Sequence, residues 1–472
     1  MPFNQSKSLA ALVLLPALLG CGASEVTTRA HSPDMPAAWP SEVDTSDVED
    51  GWLGSLQDDE LATLVDEALA QNHALARIKE DIAQAEAALA STSAARLPAV
   101  SASFDASKSD HGTGASSSGF AQPSGVRERF GASLGVNWEI DVLLKLADGA
   151  RRASLDYLAQ QSAYEWAQLG LVSDVASAYF SHREASELLR LSQKRLDNLA
   201  TNLEIVERGY RQGINNAVDV YLSRSVLAQQ QAQVAERQAA QVARAIRLQR
   251  LLGRVPDGDI APGADLEVLT TPVAVGLPST LLKRRHDVRE AWLNLLAADA
   301  AVAVAHKNRF PRITLAASTS DTTSEIDALL SEGSLAWSVA GGLTAPIFDA
   351  GRLKALEEAA RSRTRATERL YMERVAVAFG EVHQAITDQA ALRRRHDAYA
   401  SSADNAHAAA GLSFEQYQRG LTTYVTVLES ERRAFDAQTT LVRLRAELLR
   451  NRVALHRALG GDWQTAGSPA DS

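Results

Sequence analysis

Cysteine is nearly absent from this sequence. The 472-residue chain has a single cysteine, Cys21, and therefore cannot form a disulfide bond within itself. Aromatic residues are also scarce at 6%, whereas hydrophobic residues reach 46%, a mixture that favours close packing of helices over a bulky globular core. The net charge of −10 argues against a protein that binds nucleic acid, because such proteins present an excess of positive charge.

Motifs of catalysis and of metal binding are missing as well. The ten histidines show no HExxH-type spacing, and the sequence holds neither a P-loop nor a nucleophile elbow. His73 and His286 occupy equivalent positions in two similar parts of the chain, where a helical turn explains them better than a metal site. We therefore expect no enzyme activity, no cofactor and no metal centre.

Proline is missing from two long stretches, residues 124–255 and 347–468. A proline inside a helix costs about 3 kcal/mol, so its absence over such lengths is what long helices require. Apolar residues recur at steps of three and four within both stretches. We predict four long helices, at about 146–208, 216–252, 351–413 and 422–459. Glycine and asparagine predict turns between them, near 209–217 and 414–423.

Long hydrophobic runs are absent too. A membrane-spanning helix needs about 20 apolar residues, and the longest run here, Leu9–Leu19, is much shorter. This run follows Lys7 and precedes Gly20-Cys21, a pattern typical of a secretory signal peptide, here residues 1–20. An ordinary signal peptide with an incidental cysteine fits the same run. If this chain crosses a membrane, it must do so as strands.

Alternating polar and apolar residues predict four strands, at about 98–107, 130–140, 311–321 and 335–345. Each has about ten residues, the length that a tilted transmembrane strand needs. Four strands cannot close a barrel, because the smallest have about eight, so several chains would have to share one. Half-buried hairpins of a soluble protein fit the alternation equally well, but Trp138 and Trp337 near strand ends favour the barrel.

A duplication organises the chain. Tyr210-Arg-Gln-Gly213 recurs as Tyr417-Gln-Arg-Gly420, and Leu252-Gly253 recurs as Leu459-Gly460, each at the same spacing. We predict two structural repeats, 56–253 and 279–460, in which helices at about 59–95 and 279–307 precede the strands. A linker at 254–278 would join the repeats, with an N-terminal segment at 21–55 and a C-terminal tail at 461–472.

Several segments resemble the signatures of one known family. They are Leu61-x-x-Leu64-Val65, Arg284-Arg285-x-Asp287-Val288-Arg289, Pro346-Ile-Phe-Asp349-x-Gly351-Arg352 and Tyr417-x-x-Gly420-Leu421. With Leu18-Leu19-Gly20-Cys21, which resembles a bacterial lipobox, they resemble the TolC-like outer-membrane efflux proteins, in particular the lipoprotein NodT/OprM-type branch. Two positions depart from the family pattern: His286 stands where proline is usual, and Leu144 stands where glycine is typical.

The resemblance implies a mixed α and β fold and a TolC-like trimeric duct. Four strands per chain would form a shared 12-stranded transmembrane β-barrel, continued by a long α-helical coiled-coil barrel. The homotrimer would sit in the cell outer membrane, lipid-anchored through Cys21, with a periplasmic helical extension. Its partners would be a periplasmic adaptor protein and an inner-membrane pump, expected to be of the RND type.

The implied function is the outer-membrane channel of a tripartite efflux pump, a passive exit duct for small toxic compounds. Two alternatives remain open. One is the duct of a type I protein secretion system, and the other is a structural coiled-coil lipoprotein without a pore. The sequence does not identify the cargo, for which drugs, solvents and metal ions all remain open.

Candidate functional residues lie at the predicted helical tips. By the resemblance, Val425 and Glu429 match an apolar ring and an acidic ring at the periplasmic gate, and Asp219 is a weaker gate candidate in the first repeat. Three Glu429 carboxylates close together would raise one another's pKa. The expected adaptor contacts share a turn sequence and comprise Tyr210, Gly213, Tyr417, Gly420 and Leu421. A solvent-facing glutamate and simple helix capping by glycine are the alternative interpretations.

Overall fold

The computed structural model describes residues 38–39, 44–48, 50–111, 125–261, 263, 266–268, 271–331 and 335–464. Within this part, helices and strands follow the same order in each half. The first half contains α1 (Asp59–Gln71), α2 (His73–Ala94), β1 (Ala99–His111), β2 (Gly125–Ile140), α3 (Lys145–Arg211) and α4 (Ala217–Leu251). The second half contains α5 (Pro278–Arg284), α6 (His286–Lys307), β3 (Arg312–Thr323), β4 (Ala336–Thr344), α7 (Arg352–Gln418) and α8 (Tyr424–Ala458). The predicted mixed α and β class is confirmed.

Three pairs of corresponding helices have matching lengths in the two halves. The long helices α3 and α7 contain 67 residues each, and α4 and α8 contain 35 residues each. The shorter helices α2 and α6 contain 22 residues each. The self-similarity of the sequence therefore has a counterpart in the lengths and the order of the helices.

Each helix that the sequence predicts before a strand pair is in fact two helices. The predicted helix 59–95 breaks at Asn72, whose side chain accepts hydrogen bonds from two backbone N–H groups in the first turn of α2 (2.9 and 3.0 Å). The Asn72 amide also donates to the carbonyl of Leu251 at 2.8 Å. The predicted helix 279–307 breaks at Arg285, whose backbone is extended. The prediction of continuous helices was wrong because side chains with distant partners fix the backbone at both breaks.

The long helices α3 and α7 extend beyond their predicted ends at residues 208 and 413. They end at Arg211 and Gln418, so Gly209 and Gly411 lie inside them. A glycine inside a helix costs only about 1 kcal/mol. Beyond Gly411, Tyr417 packs against a buried apolar cluster, which holds the last turns of α7 in helical form.

Contacts divide the chain into two compact units, of which the first contains the described residues of Ile82–Gln160 and Ala291–Tyr371. Its four strands form one antiparallel sheet in the order β1-β2-β3-β4. One face of the sheet carries exposed apolar side chains, namely Val100, Phe104, Leu134, Leu315, Trp337, Val339 and Leu343. The opposite face carries small and polar side chains, among them the hydrogen-bonded pairs Ser103–Ser133 and Ser318–Ser338.

The first two strands are longer than the predicted ranges 98–107 and 130–140. Their ladder continues to the pair His111 and Gly125. Near this end, Lys108 Nζ lies 2.6 Å from Glu128 Oε1 on the facing strand. Opposite charges on paired strands support the ladder. The polar composition of the segment after residue 107 therefore did not mark the end of the strand.

The strand-to-helix corner of the first half carries a leucine in the left-handed backbone region. Leu144 has a φ of 57°, and its counterpart Gly351 has a φ of 82°. A side chain in this region costs about 1–2 kcal/mol, whereas glycine adopts it freely. The corner is held because the Asp141 carboxylate accepts hydrogen bonds from the N–H groups of Leu146 and Ala147, at 3.0 and 2.8 Å.

The second unit contains the described residues of Pro33–Asp81, Gln161–Glu290 and Met372–Ser472. Its core is apolar and draws on α1, α3, α4 and α8. The largest fully buried side chains in that core are Trp52, Tyr179, Leu61, Leu169, Leu248 and Leu252. Among the described residues, none of the helices combines the length and the apolar character needed to cross a membrane.

A buried ion pair fixes the break between α5 and α6 in the second unit. The Arg285 guanidinium donates to both oxygens of Asp287 (2.9 and 2.7 Å), to Glu381 (2.6 Å) and to the carbonyl of Ala458 (3.1 Å). It also lies over the ring of Trp166, 4.7 Å from the centroid. Removal of one partner would leave a buried charge unpaired. The Arg285-x-Asp287 signature therefore has a structural role here.

The predicted linker contacts the segment before α1. The indole N–H of Trp39 donates to the carbonyl of Gly276 at 2.9 Å. Residues after α8 also reach the N-terminal part of the chain, since the N–H of Gly51 donates to the carbonyl of Asp462 at 3.0 Å. Linker, N-terminal segment and C-terminal segment thus belong to one packed region of the second unit.

Candidate functional site

The turns between the long helices have the same backbone in both halves. Gly213 follows α3 with a φ of 74°, and Gly420 follows α7 with a φ of 73°. This left-handed conformation favours glycine and ends a helix. Asn216 and Thr423 then cap α4 and α8 with their side chains. Both predicted tips are therefore tight turns between capped helices.

The tips expose apolar side chains to solvent. Ile214 is 75% exposed in the first tip, and Leu421 is 72% exposed in the second. Tyr210 is exposed as well, whereas Tyr417 is half-buried. Contiguous exposed apolar residues on a protein surface are typical of contact sites for another molecule. Of the residues expected to contact an adaptor, Tyr210 and Leu421 are thus accessible, and Tyr417 is turned to the neighbouring helices.

Among the polar bonds that join the first helical hairpin (α3 and α4) to the second (α7 and α8), two accompany the apolar cluster near the tips. The Ser223 hydroxyl donates to Tyr424 Oη at 2.5 Å in buried surroundings, and the Asn202 amide donates to Glu431 Oε1 at 2.7 Å. We name these four residues the hairpin clasp. Apolar side chains pack beside it, including Val206, Val220 and Val427. The sequence alone gives no sign of the clasp, because its partners are about 200 residues apart.

The two predicted gate residues of the second repeat share one surface. Val425 and Glu429 line a groove of about 900 Å³ between α7 and α8, together with Tyr399 and Asn405 of α7. Val425 is 59% exposed, although it is a branched apolar residue. The structure thus brings an exposed apolar side chain and a carboxylate together on one face of the second hairpin.

Glu429 is paired with arginines of its own helix. Arg432 donates to both of its oxygens at 3.0 and 2.9 Å, and Arg433 donates to one at 2.7 Å. Hydrogen bonds from Arg432 and then Arg433 lower the pKa of Glu429 to about 2. The pKa of Glu429 in one chain is thus lowered, whereas repulsion between the carboxylates of three copies was expected to raise it. That expectation did not include the arginines one turn further along the helix. Arg432 also donates to Asp436 at 2.8 Å, so the face carries two charges of each sign.

Asp219, the gate candidate of the first repeat, is not found among the described residues that line this groove. Its carboxylate lies 3.5 Å from Tyr417 Oη of the second hairpin. Burial, followed by the charge of Asp219, raises the pKa of Tyr417 to about 12. Tyr417 therefore keeps its proton at neutral pH. The structure brings Asp219 to a predicted tip residue rather than to Glu429.

The remaining predictions concern lipidation and metal binding. The lipidation candidate Cys21 lies outside the described residues. Within the described ranges, no group of three or more histidine, cysteine, aspartate or glutamate side chains is placed to hold a metal ion. His73 and His286 each begin a helix, α2 and α6.

Known proteins provide an independent comparison. The family model for outer membrane efflux proteins matches residues 64–254 and 277–461, which make up most of both halves. The chain belongs to this family. The resemblance seen in the sequence is confirmed, and so is the predicted function as the outer-membrane channel of an efflux pump.

Relatives and solved structures agree with this assignment. The solvent efflux pump outer membrane protein SrpC of Pseudomonas putida is 31% identical over 344 residues, which cover 72% of this chain and 73% of that protein. The cation efflux system protein CusC of Escherichia coli O6:H1 is 28% identical over 421 residues, 88% of either protein. The structure of the outer-membrane channel OprN matches with a TM-score of 0.83 at 26% identity, covering 92% of this chain and 98% of that one. A CusC structure matches with a TM-score of 0.80 at 27% identity, covering 91% and 99%.

Proposed function

We propose that three copies of this chain share one closed barrel of twelve strands in the outer membrane. The four-stranded sheet is the observation that carries this proposal. In the described part of the chain, β1 and β4 each pair with a single strand, which leaves two open edges. An open edge is a template for pairing with another chain, and strands cross a membrane only in a closed barrel. Eight strands enclose little more than side chains, so a duct needs more than two copies.

The two faces of the sheet support this assembly. In a transmembrane barrel the outward face is apolar and the interior is polar. The apolar face carries Phe104, Leu315 and Trp337, all exposed in the single chain, and would contact lipid. The face with small and polar side chains would line the lumen. Its serines and glycines offer little basis for selecting one solute over another, which suits a passive exit duct.

Closure of the duct would depend on the helical tips. In this proposal the hairpin clasp holds the two hairpins of each chain together, and the exposed face with Val425 and Glu429 forms the constriction among the three copies. Asp219 contributes indirectly, through its contact with Tyr417. Opening then requires the hairpins to separate, which breaks the bonds Ser223–Tyr424 and Asn202–Glu431.

The exposed tips suit a periplasmic adaptor. Ile214 and Leu421 present apolar surface beside the two glycine turns, and the adaptor would link them to an inner-membrane pump of the RND type that supplies the energy. We propose small toxic compounds as the cargo, since the names of the relatives refer to solvents in one case and to cations in another. After removal of the signal peptide 1–20, acylation of Cys21 would add a lipid anchor to the periplasmic side.

Deletion of the gene followed by growth assays tests this function. We expect increased sensitivity to solvents, antibiotics or metal cations, with restoration by the wild-type chain.

Chemical crosslinking in whole cells should recover an adaptor protein with the wild-type chain, and recover less of it with a Leu421→Asp variant. Unchanged sensitivity together with loss of one secreted protein would contradict the proposal and support a type I secretion duct instead.

A further inference from the structure

A groove lies at the strand-to-helix corners of the first unit, and residues of both halves line it. Its volume is about 690 Å³, within the range of small-molecule sites. The apolar part of its wall comes from Ile140, Phe310, Ile313, Leu343, Leu353 and Leu356. The groove is thus large enough and apolar enough to hold part of a lipid chain.

The charged side chains along this groove are mostly basic. Four of them are positive, namely Lys145, Lys307, Arg312 and Arg352, and two are negative, Glu139 and Asp141. Lys145 is neutralised by Glu139 at 2.5 Å, and Lys307 by Asp148 at 2.6 Å. Asp141 is occupied as the cap of α3. The charge that remains available is therefore positive and belongs to Arg312 and Arg352.

The duplication explains why Arg352 is left without an acidic partner. Arg352 is the counterpart of Lys145, but the residue at the position of Glu139 in the second half is Pro346. In the described part of the chain, neither Arg352 nor Arg312 forms an ion pair, although both line the groove. Two guanidinium groups suit a phosphate group, because each presents several N–H donors in a fixed plane that can pair with its oxygens.

We propose that this groove binds an anionic phospholipid of the periplasmic leaflet, with the phosphate at Arg312 and Arg352 and an acyl chain along the apolar wall. This inference rests on the proposed function, which places the four strands in the outer membrane. The groove lies at the helix-side ends of β2, β3 and β4, where a headgroup layer would then begin. Ile347 and Phe348 beside it are 93% and 90% exposed, as expected of side chains that enter a membrane interface.

Native mass spectrometry of the purified full-length oligomer tests this site. The detergent solution contains equal amounts of phosphatidylglycerol and phosphatidylcholine, and the bound fraction of each lipid is measured. The double variant Arg312→Gln/Arg352→Gln should retain about thirtyfold less phosphatidylglycerol than the wild type, since each of the two basic side chains near a membrane surface contributes about 1 kcal/mol to anionic lipid binding. The matched control Arg363→Gln/Arg369→Gln removes the same charge from exposed positions of α7 outside the groove, and should retain wild-type levels.

Three results would overturn the inference. Full retention of phosphatidylglycerol by the double variant would show that the two arginines do not bind it. Equal retention of both lipids by the wild type would show that charge does not select the ligand. Phosphatidylglycerol that binds only after Cys21→Ala would assign the groove to the acyl chains of the protein's own anchor. Single-channel conductance of the same preparations separates this test from the proposed function: a conducting double variant without bound lipid leaves the channel intact, and a wild type without conductance contradicts the channel itself.

Discussion

Ser223 and Tyr424 stand 201 residues apart in the sequence, yet the Ser223 hydroxyl donates a hydrogen bond to Tyr424 Oη at 2.5 Å. Both side chains are about 2% exposed. The bond joins the first helical hairpin to the second close to the tips. Because a hydrogen bond contributes about 0.5–1.5 kcal/mol net of the bonds to water that replace it, separation of the hairpins at this point carries a free-energy penalty. In the proposed function, the clasp would therefore help to hold the helical end of the duct closed.

Weakening the clasp should favour the open channel. We expect Tyr424→Phe to raise single-channel conductance or open probability in planar bilayers, since Ser223 and Tyr424 no longer share a bond while the ring still packs. Ser223→Ala should act in the same direction. Tyr221→Phe, which changes an exposed tyrosine of the same tip region, is the control and should conduct like the wild type. Wild-type conductance in both clasp variants would remove the clasp from the closure mechanism.

Removing the Glu429 carboxylate should also open the channel. In Glu429→Ala, Arg432 and Arg433 lose the acceptor that both share, and positive charge accumulates around the three-fold axis of the proposed trimer. We expect a higher conductance than in the wild type. Glu204→Ala, at an exposed position of the first hairpin, provides the control. Equal conductance in Glu429→Ala and the wild type would exclude Glu429 from the gate.

The pH dependence of the gate follows from the same arginines. They lower the pKa of Glu429 to about 2, so the carboxylate stays ionised well below neutral pH. Wild-type conductance should therefore change little between pH 5 and pH 8. A closing transition in this interval that Glu429→Gln abolishes would contradict the pairing, and would instead support carboxylates that raise one another's pKa.

Leu144 offers a test of local strain. Its left-handed backbone costs about 1–2 kcal/mol, and the glycine of the variant Leu144→Gly adopts this conformation freely while gaining some freedom in the unfolded chain. We expect the free energy of unfolding of the variant to rise by about 0.5–1 kcal/mol. The detergent-solubilised protein should accordingly show a higher thermal midpoint. The reverse change at the counterpart, Gly351→Ala, should lower the thermal midpoint because Gly351 has a left-handed backbone. No clash contributes to this loss, since an added Cβ meets no neighbour within 4 Å. A lower midpoint for Leu144→Gly would show that the leucine packs usefully.

Glu357 links α6 to α7 in the first unit. Arg361 and Arg309 each donate to it at 2.7 Å, and His306 lies 3.2 Å away. The bond from Arg361 is the largest cause that lowers the pKa of Glu357 from 4.5 to about 2. Because the folded value is the lower one, the stabilisation is complete above pH 4.5 and is lost as the pH falls towards 2.

Comparison of Glu357→Gln with the wild type tests this contribution. We expect a loss of about 1–2 kcal/mol at pH 7, less than the full shift implies because both arginines are partly exposed and screened. At pH 3 the difference in thermal midpoint should be clearly smaller. Glu358→Gln, at the exposed neighbouring position, should have little effect at either pH. A difference that does not change between pH 7 and pH 3 would contradict the assignment.

The regular elements were readable from the sequence because each depends on local pattern. Absence of proline marked the long helices, and alternation marked the strands, since both express a constraint within one segment. The breaks at Asn72 and Arg285 were not readable, because they depend on partners far along the chain, Leu251 and Glu381. The clasp escaped prediction for the same reason.

The gate was a different case. Arg432 and Arg433 follow Glu429 by three and four residues, and charged side chains at this spacing on a helix pair regularly. The signal for the pairing was therefore present in the sequence. Within one chain the arginines lower the pKa of Glu429, and the effect of repulsion between copies stays a prediction. The groove with Arg312 and Arg352 required the structure, since β3 and α7 meet there only through the fold.

Disulfide crosslinking between the open edges of the sheet tests the shared barrel most directly. With Cys21 as the single native cysteine, a cysteine in β1 (Ser101→Cys, Ser103→Cys or Asp105→Cys) is combined with Ser338→Cys in β4. Oxidation in outer membranes should give a ladder that ends at three linked chains for at least one combination. The same β1 cysteines combined with Ser318→Cys in the central strand β3 should stay monomeric. Monomers from every β1 and β4 combination would contradict the account that three chains close one barrel.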